Sequence, residues 1–293
     1  MRVTRAAGPS PDVDHRAVAE ATALTVVYVA YGIDRLNLDW IPGETSVVIV
    51  HNDERLATPE RPGTVSLRPG ANLGFGAGVN RALEVVTTPR VLLCNPDTRL
   101  APAHFTALAG APPDDVAAVP LVEPDGTPNS VINRYWHPMA FTATALRLGR
   151  FAPRGSARRS VLTRSLGRWG RSHRDSLHHV AGSWPLVERW ATAAVVAAPT
   201  EALRAIGGFD DDYFLYYEDV DLQQRLARRF PTMRVHLLDV EPAIHEVGGS
   251  DSGPASPVAR HRLHAALTYA RRQDGAAWAM AGALVAVAAG WRR

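Results

Sequence analysis

The stretch Arg90-Val91-Leu92-Leu93-Cys94-Asn95-Pro96-Asp97-Thr98 (RVLLCNPDT) decides the architecture. Val91 to Cys94 leave no polar face, so the run reads as a strand covered on both sides. Asn95-Pro96-Asp97 then ends it, because proline cannot continue a ladder and Asn and Asp favour turns. Two runs of the same kind lie upstream, Leu24–Val29 (LTVVYV) and Ser46–Val50 (SVVIV). The first leads into Ala30-Tyr31-Gly32, the second into His51-Asn52-Asp53. Thr64–Leu67 reads as a short third strand and Ala77–Val86 as a helix, with room for another helix between the first two strands. Buried strands alternating with helices define an α/β fold, a mostly parallel central sheet flanked by helices. Ligands enter such sheets at the carboxyl ends of strands, where the polar clusters fall.

Downstream, Ala191–Ala198 predicts a strand of small residues, and Thr200–Ile206 a helix stopped by Gly207-Gly208. Asp210, Asp211 and Asp212 precede a helix that opens on Glu218-Asp219-Val220-Asp221 and carries Leu222, Leu226 and Phe230 at four-residue spacing. Val235–Leu238 is the last strand and leads to His245 and Gly248-Gly249.

Composition bounds the function. The 293 residues are 46% hydrophobic and 21% charged, ample for a core and unlike a disordered chain. The single cysteine, Cys94, excludes an internal disulfide and any zinc cluster of several cysteines. It fits a reducing compartment. All 32 basic residues are arginine, which excludes lysine chemistry, a Schiff base included. A net charge of +3 is too mild to argue for nucleic acid. Residues 1–22 hold no apolar stretch ahead of a cleavage site and read as a mobile extension. From Gly126 to Arg174 there is no acidic residue, and nine arginines fall between Arg147 and Arg174, interleaved with apolar residues. This is either a solvated basic face or a surface for an anionic membrane. Ala276–Trp291 is sixteen residues without a charge, shorter than the roughly 20 that span a bilayer. It reads as a terminal helix packed on the domain, or as one lying in a membrane interface.

Four constellations carry chemistry. Asn72–Asn80 (NLGFGAGVN) is a Gly-rich turn opening a helix, a place where backbone N–H groups approach an anion. Its glycines follow neither the dinucleotide fingerprint nor the P-loop. Asp97, just past a strand, can hold a hard divalent cation or can close a turn on its own backbone. Glu218 and Asp219 sit at a helix start, where acids are favoured electrostatically. Asp219 and Asp221 point to different sides of that helix. Asp221 meets Arg225 at i+4, which leaves Glu218 or Asp219 to face a cleft as a general base. His245 is a packed or solvated histidine on its own, and a further metal ligand beside Asp97.

In this order the pieces resemble the family 2 glycosyltransferases, which have the GT-A fold, and most closely their bacterial rhamnosyltransferase-like branch. NLGFGAGVNRAL (Asn72–Leu83), VLLCNPDT (Val91–Thr98) and GGFDDDYFLYYEDVDLQQRL (Gly207–Leu226), followed by His245, carry the resemblance. It extends from about Leu24 to Ser250 and divides the chain into three. These are the extension 1–22, a GT-A domain 23–250 with a basic acceptor- or membrane-facing insertion at 124–190, and a helical segment 251–293. The resemblance implies metal-dependent transfer of a sugar from a nucleotide diphosphate donor to an acceptor hydroxyl, with inversion. It assigns the metal to Asp97 and His245, as Mg2+ or Mn2+, the catalytic base to Asp219, and a positioning role to Glu218. Donor contacts fall on Tyr31, Asn52, Asp53, Asn72, Gly74, Gly78, Asn80, Asn95 and Asp97.

Two departures concern the nucleobase. His51-Asn52 stands where the family usually has Asp-Asn, and Ala30-Tyr31-Gly32 where it often has Thr-Tyr-Asn. The branch favours dTDP-rhamnose, with UDP- and GDP-sugars open. A glycan or polyprenyl-diphosphate-linked acceptor in cell-wall or surface-polysaccharide assembly is expected, at the cytoplasmic face of the cell membrane, with no nucleic acid involved. The alternative readings are a degenerate GT-A domain that binds without turnover, and a nucleotidyltransferase.

Overall fold

Every residue of Leu24–Ala30 is buried, and this strand, β1, lies inside an eight-stranded sheet. The computed structural model describes residues 23–145, 180–246 and 257–290. The N-terminal extension, most of the basic stretch and Gly248-Gly249 lie outside the described residues. The other strands are β2 (Ser46–His51), β3 (Thr64–Leu67), β4 (Arg90–Cys94), β5 (Thr98–Arg99), β6 (Val116–Ala118) and β7 (Leu121–Val122). Then come β8 (Ile132–Arg134), β9 (Gly182–Pro185), β10 (Arg189–Ala191), β11 (Val195–Pro199), β12 (Arg234–Leu237) and β13 (Ala243–His245). The helices are α1 (Phe75–Leu83), α2 (Pro102–Ala109), α3 (Pro138–Ala145), α4 (Thr200–Ala205), α5 (Glu218–Arg229), α6 (Pro257–Arg272) and α7 (Ala276–Gly290).

The main sheet runs β3-β2-β1-β4-β11-β6-β12-β9. The first four strands are mutually parallel, with Thr25 of β1 opposite both Ser46 and Val91. β11 enters antiparallel between β4 and β6, β12 is parallel to β6, and β9 closes the edge antiparallel. Two small sheets, β5-β13-β7 and β10-β8, lie apart from it. β13 pairs antiparallel with β5, which brings His245 opposite Thr98.

Two expectations are corrected. No helix fills residues 31–45, which run as turns and bends. Pro42 and Gly43 interrupt the stretch, and Arg61 donates to the carbonyls of Thr45 (2.9 Å) and Pro42 (2.6 Å). A guanidinium thus satisfies acceptors that a helix would have satisfied internally, while Leu38 and Ile41 are still buried. The predicted strand Ala191–Ala198 is broken in two. Thr192 N–H donates to Val131 O, and Ala194 O accepts from Asn95 N–H, so residues 192–194 leave the ladder between β10 and β11.

A second core forms where α3, α6 and α7 meet the start of α5. Phe141, Tyr213, Tyr217, Tyr269 and Val285 are buried there, with Trp136 and Trp278 packed against them. Ring centroids lie 5.1 Å apart for Trp136 with Tyr217 and for Phe141 with Trp278, and 5.6 Å apart for Tyr217 with Tyr269. These tilted and edge-on geometries suit the aromatic quadrupole. The C-terminal helices are thereby packed onto the residue that precedes Glu218.

Candidate active site

Helix α5 begins under backbone strain. Tyr216 and Tyr217 both have left-handed backbones, φ 74° and 68°. They are the described non-glycine residues with positive φ, a conformation costing about 1–2 kcal/mol each. Aromatic packing holds them there and turns Glu218 and Asp219 inward. Asp219 Oδ2 accepts from Ala193 N–H at 3.3 Å, and Oδ1 from Val220 N–H at 2.8 Å. Gln223, one turn on, donates to Ala191 O (2.6 Å) and accepts from Ala191 N–H (2.8 Å). The break in the predicted strand therefore exposes backbone groups to α5.

Burial raises the affinity of both acids for protons. Glu218 is fully enclosed, its Oε2 has no hydrogen-bond partner, and the neighbouring Asp219 charge raises it further. Asp219 is also raised by burial, offset by the N–H groups of Ala193 and Val220. The pair splits its roles. Asp219, with two backbone donors, is the acid better stabilised as an anion, and Glu218 is the one held more firmly in its protonated form.

The Asn95-Pro96-Asp97 turn is locked from behind. Thr98 Oγ1 donates to Asn95 O at 2.6 Å and lies 2.9 Å from the buried Cys94 Sγ. Burial pushes the Cys94 thiol up to about 12, so it stays neutral. Asp97 therefore does not close the turn on its own backbone. Its Oδ1 is buried without a hydrogen-bond partner, and His245 Nε2 lies 3.3 Å away. β13 fixes this approach, since Glu246 N–H also donates to Asp97 O. An oxygen and a nitrogen ligand at about 2.0–2.2 Å from one cation stand about 3 Å apart, so the orphaned oxygen and the imidazole fit a divalent ion. Among the described residues no group of three His, Cys, Asp or Glu gathers, so the remaining ligands would come from donor phosphate and water.

The two halves are joined through the backbone of 193–194. Ala194 O accepts from Asn95 N–H (2.9 Å), while Ala193 N–H reaches Asp219. The candidate cation pair and the candidate base thus flank one two-residue segment.

The other sequence candidates divide. Tyr31 is 62% exposed at the carboxyl end of β1. Asp53 Oδ2 accepts from Gly32 N–H at 2.6 Å, tying the loops after β1 and β2 together next to Tyr31. The Gly-rich turn makes internal hydrogen bonds. Leu73 N–H donates to Asn52 Oδ1, Gly74 N–H to Asn72 Oδ1 and Phe75 N–H to Phe214 O, so its leading amides are spent inside the protein. Asn52 also donates to Gly74 O. Asn80 accepts from Phe209 N–H (2.8 Å) and donates to Phe209 O and Asp211. Gly78 lets α1 approach β1, where a Cβ would lie 2.9 Å from Val29. Asn52, Asn72, Gly74, Gly78 and Asn80 therefore help build the floor that carries 207–217. His51 turns into the fold, its Nε2 3.2 Å from Ser66 Oγ. A cleft of about 610 Å3 opens between 34–41 and 56–62, and none of the candidate residues lines it.

Sequence reading missed Ala193 and Gln223, and no residue type marks a backbone amide as a ligand. It also left Asp210 and Asp212 without a role. Both accept from Arg272 of α6, at 2.7 and 2.6 Å.

A mostly parallel sheet with two reversed strands, an Asn-Pro-Asp turn at the end of β4 and an acid pair opposite match the GT-A architecture. No family model matches the chain. Over 260 residues it is 28% identical to N-acetylglucosaminyl-diphospho-decaprenol L-rhamnosyltransferase of Mycobacterium tuberculosis, in strains CDC 1551 / Oshkosh and H37Rv. The match covers 78% of this chain and 76% of the relative. A crystal structure of a mycobacterial protein aligns with 92% of the chain and 82% of its own, at TM-score 0.51 and 13% identity. A mannosyltransferase from Pyrobaculum calidifontis, in complex with GDP-Man and Mn2+, aligns at TM-score 0.49 and 15% identity, over 92% of this chain and 71% of that one. The chain thus has the GT-A fold and is similar in sequence to a bacterial rhamnosyltransferase.

Proposed function

We propose that the protein transfers rhamnose from a dTDP-linked donor to a polyprenyl-diphosphate-linked sugar, with inversion, at the cytoplasmic face of the membrane. The observation that carries this is the shared backbone at Ala193–Ala194, which bonds the Asn95-Pro96-Asp97 turn on one side and Asp219 on the other. The similarity to a rhamnosyltransferase named for a decaprenol-linked acceptor supports the choice of sugar and acceptor.

Inversion needs one displacement. Asp219 takes the proton of the acceptor hydroxyl, whose oxygen bonds to the anomeric carbon as the bond from that carbon to the diphosphate breaks. The products are the inverted glycoside and a nucleoside diphosphate. Asp97 and His245 would hold Mg2+ or Mn2+, which would supply charge neutralisation for the departing diphosphate. Glu218, protonated beside Asp219, keeps a second negative charge out of the site. Tyr31 and Asp53 offer a stacking face and a carboxylate to the nucleobase.

A donor screen tests the reading. dTDP-, UDP- and GDP-sugars are added with Mn2+ or Mg2+, and thermal shift and nucleoside diphosphate release are followed. Stabilisation by the dTDP donor, weakened in Asp97→Ala, is expected. Asp219→Asn is expected to keep donor binding and lose about 10²–10⁴-fold in turnover. A folded protein that answers no nucleotide sugar would leave a binding domain without catalysis. Release of pyrophosphate would make it a nucleotidyltransferase.

A further inference from the structure

Helix α7 has two apolar faces and only one partner. Ala281 and Val285 are buried against α6 and α3, with Trp278 on the same stripe. The opposite stripe stays in solvent. Met280 is 55% exposed, Leu284 46% and Val287 58%, with exposed alanines between them. No charge occurs from Ala276 to Gly290. An apolar surface of this kind on a water-soluble face marks a contact.

The helix beside it supplies charge of one sign. α6 holds Arg260, Arg262, Arg271 and Arg272 and no acid. Arg260, His264 and Arg271 are exposed at i, i+4 and i+11, on the side away from buried Ala266, Tyr269 and Ala270. Arg262 lies over the Tyr216 ring at 4.3 Å, and Arg272 is bonded to Asp210 and Asp212. That leaves Arg260 and Arg271 as the outward cations of the hairpin.

We infer that the α6–α7 hairpin docks the enzyme on an anionic lipid surface, α7 lying in the headgroup layer and Arg260 and Arg271 meeting the lipid charge. The charge pattern selects lipid over a second copy of the chain. Two copies meeting through this hairpin would oppose arginine with arginine, whereas an anionic bilayer complements an apolar stripe flanked by cations. α7 is about 22 Å long at 1.5 Å per residue, short of the roughly 30 Å hydrocarbon core, and no described helix is long and apolar enough to cross a membrane. The helix therefore lies along the surface. Docking would present the acceptor side of the site to the bilayer, because Trp278 and Tyr269 link the hairpin to Tyr217 and so to Glu218. This last step rests on the lipid-linked acceptor proposed above; the docking itself does not.

The test is vesicle flotation of the full chain. Vesicles of phosphatidylcholine alone are compared with vesicles containing phosphatidylglycerol, at low and high salt. Binding to the phosphatidylglycerol vesicles, weakened by salt, is expected. Met280→Glu with Leu284→Glu should weaken it by tenfold or more, and Arg260→Glu with Arg271→Glu by a similar factor. Melting temperatures should stay at the wild-type value, since these side chains point into solvent. No binding by the folded wild-type protein overturns the inference. So does a dimer in light scattering that the Met280→Glu, Leu284→Glu variant dissolves, which would assign the face to a second copy. Turnover of a short-chain, water-soluble acceptor separates the two proposals. If the wild type floats with vesicles but shows no transfer, the acceptor reading fails and the docking surface stands.

Discussion

At Glu218 and Asp219, two acids meet in a buried site where two backbone amides, of Ala193 and Val220, donate to Asp219, so both cannot ionise cheaply. Both proton affinities are raised, by burial first. A folded state that holds protons more tightly than the unfolded one is fully stabilised below the unfolded value, near about 4, and loses that contribution as pH rises through the raised folded values. Glu218→Gln keeps the shape and the neutral state. Its melting temperature should exceed that of the wild type by a few degrees at neutral and mildly alkaline pH and should match it under acid conditions. Turnover should survive the substitution, with the acid limb of kcat/KM barely moved, because in the wild type Asp219 ionises beside a neutral Glu218. A large loss of turnover in Glu218→Gln would mean that the second carboxylate works charged. The sequence marked these acids, and Asp97 with His245, because their residue types announce chemistry. It also separated Asp221, which bonds Arg225 at 2.7 Å. It had no means of marking Ala193, whose contribution is an amide that every residue but proline carries.

The Gly-rich turn shows how a glycine pattern legible in the sequence also serves the packing of the fold. Its glycines predict close backbone approach, and the fold uses close approach toward segment 207–217. Gly74 has φ +82°, and a Cβ there would lie 2.2 Å from Phe214 O. Gly208 has φ +70°, and a Cβ there would lie 2.2 Å from Asn80 Oδ1. Gly74→Ala should therefore cost about 3 kcal/mol, combining the left-handed penalty with loss of the Phe75 to Phe214 hydrogen bond. Gly126→Ala is the control, since its φ is +83° with open space around it, and should cost about 1–2 kcal/mol. Urea midpoints of the two variants check the difference. Equal midpoints would mean that segment 207–217 yields readily and is no fixed floor. Strands β1, β2 and β4 were legible to within a residue because uninterrupted apolar runs have one reading in a sheet buried on both faces. The break after Ala191 was not, because alanine fits either side of a switch in pairing partner.

Across the whole molecule, two cores meet at one acidic pair. The main sheet carries the Asn95-Pro96-Asp97 turn, and the aromatic cluster carries the start of α5 and the C-terminal hairpin. The sequence displayed both ends of that connection, an acidic motif and an uncharged terminal run, but the contacts between them cross dozens of residues and leave no local pattern. Tyr269 is the joint. It is fully buried, and its ring lies 5.6 Å from Tyr217, 5.7 Å from Trp136 and 5.7 Å from Trp278. Tyr269→Leu removes these ring contacts and leaves a cavity, at a cost of about 2–4 kcal/mol. If the hairpin positions the acid pair, kcat falls while KM for the donor holds, because the donor side is built on the main sheet. Assayed well below the lowered melting point with a water-soluble acceptor, the variant reads out positioning rather than unfolding or lost membrane contact. The Met280→Glu, Leu284→Glu variant, which leaves the cluster intact, should keep the wild-type kcat under the same conditions. A Tyr269→Leu protein that loses stability yet turns over at the wild-type rate would make the hairpin an anchor alone, with no hold on the chemistry beneath it.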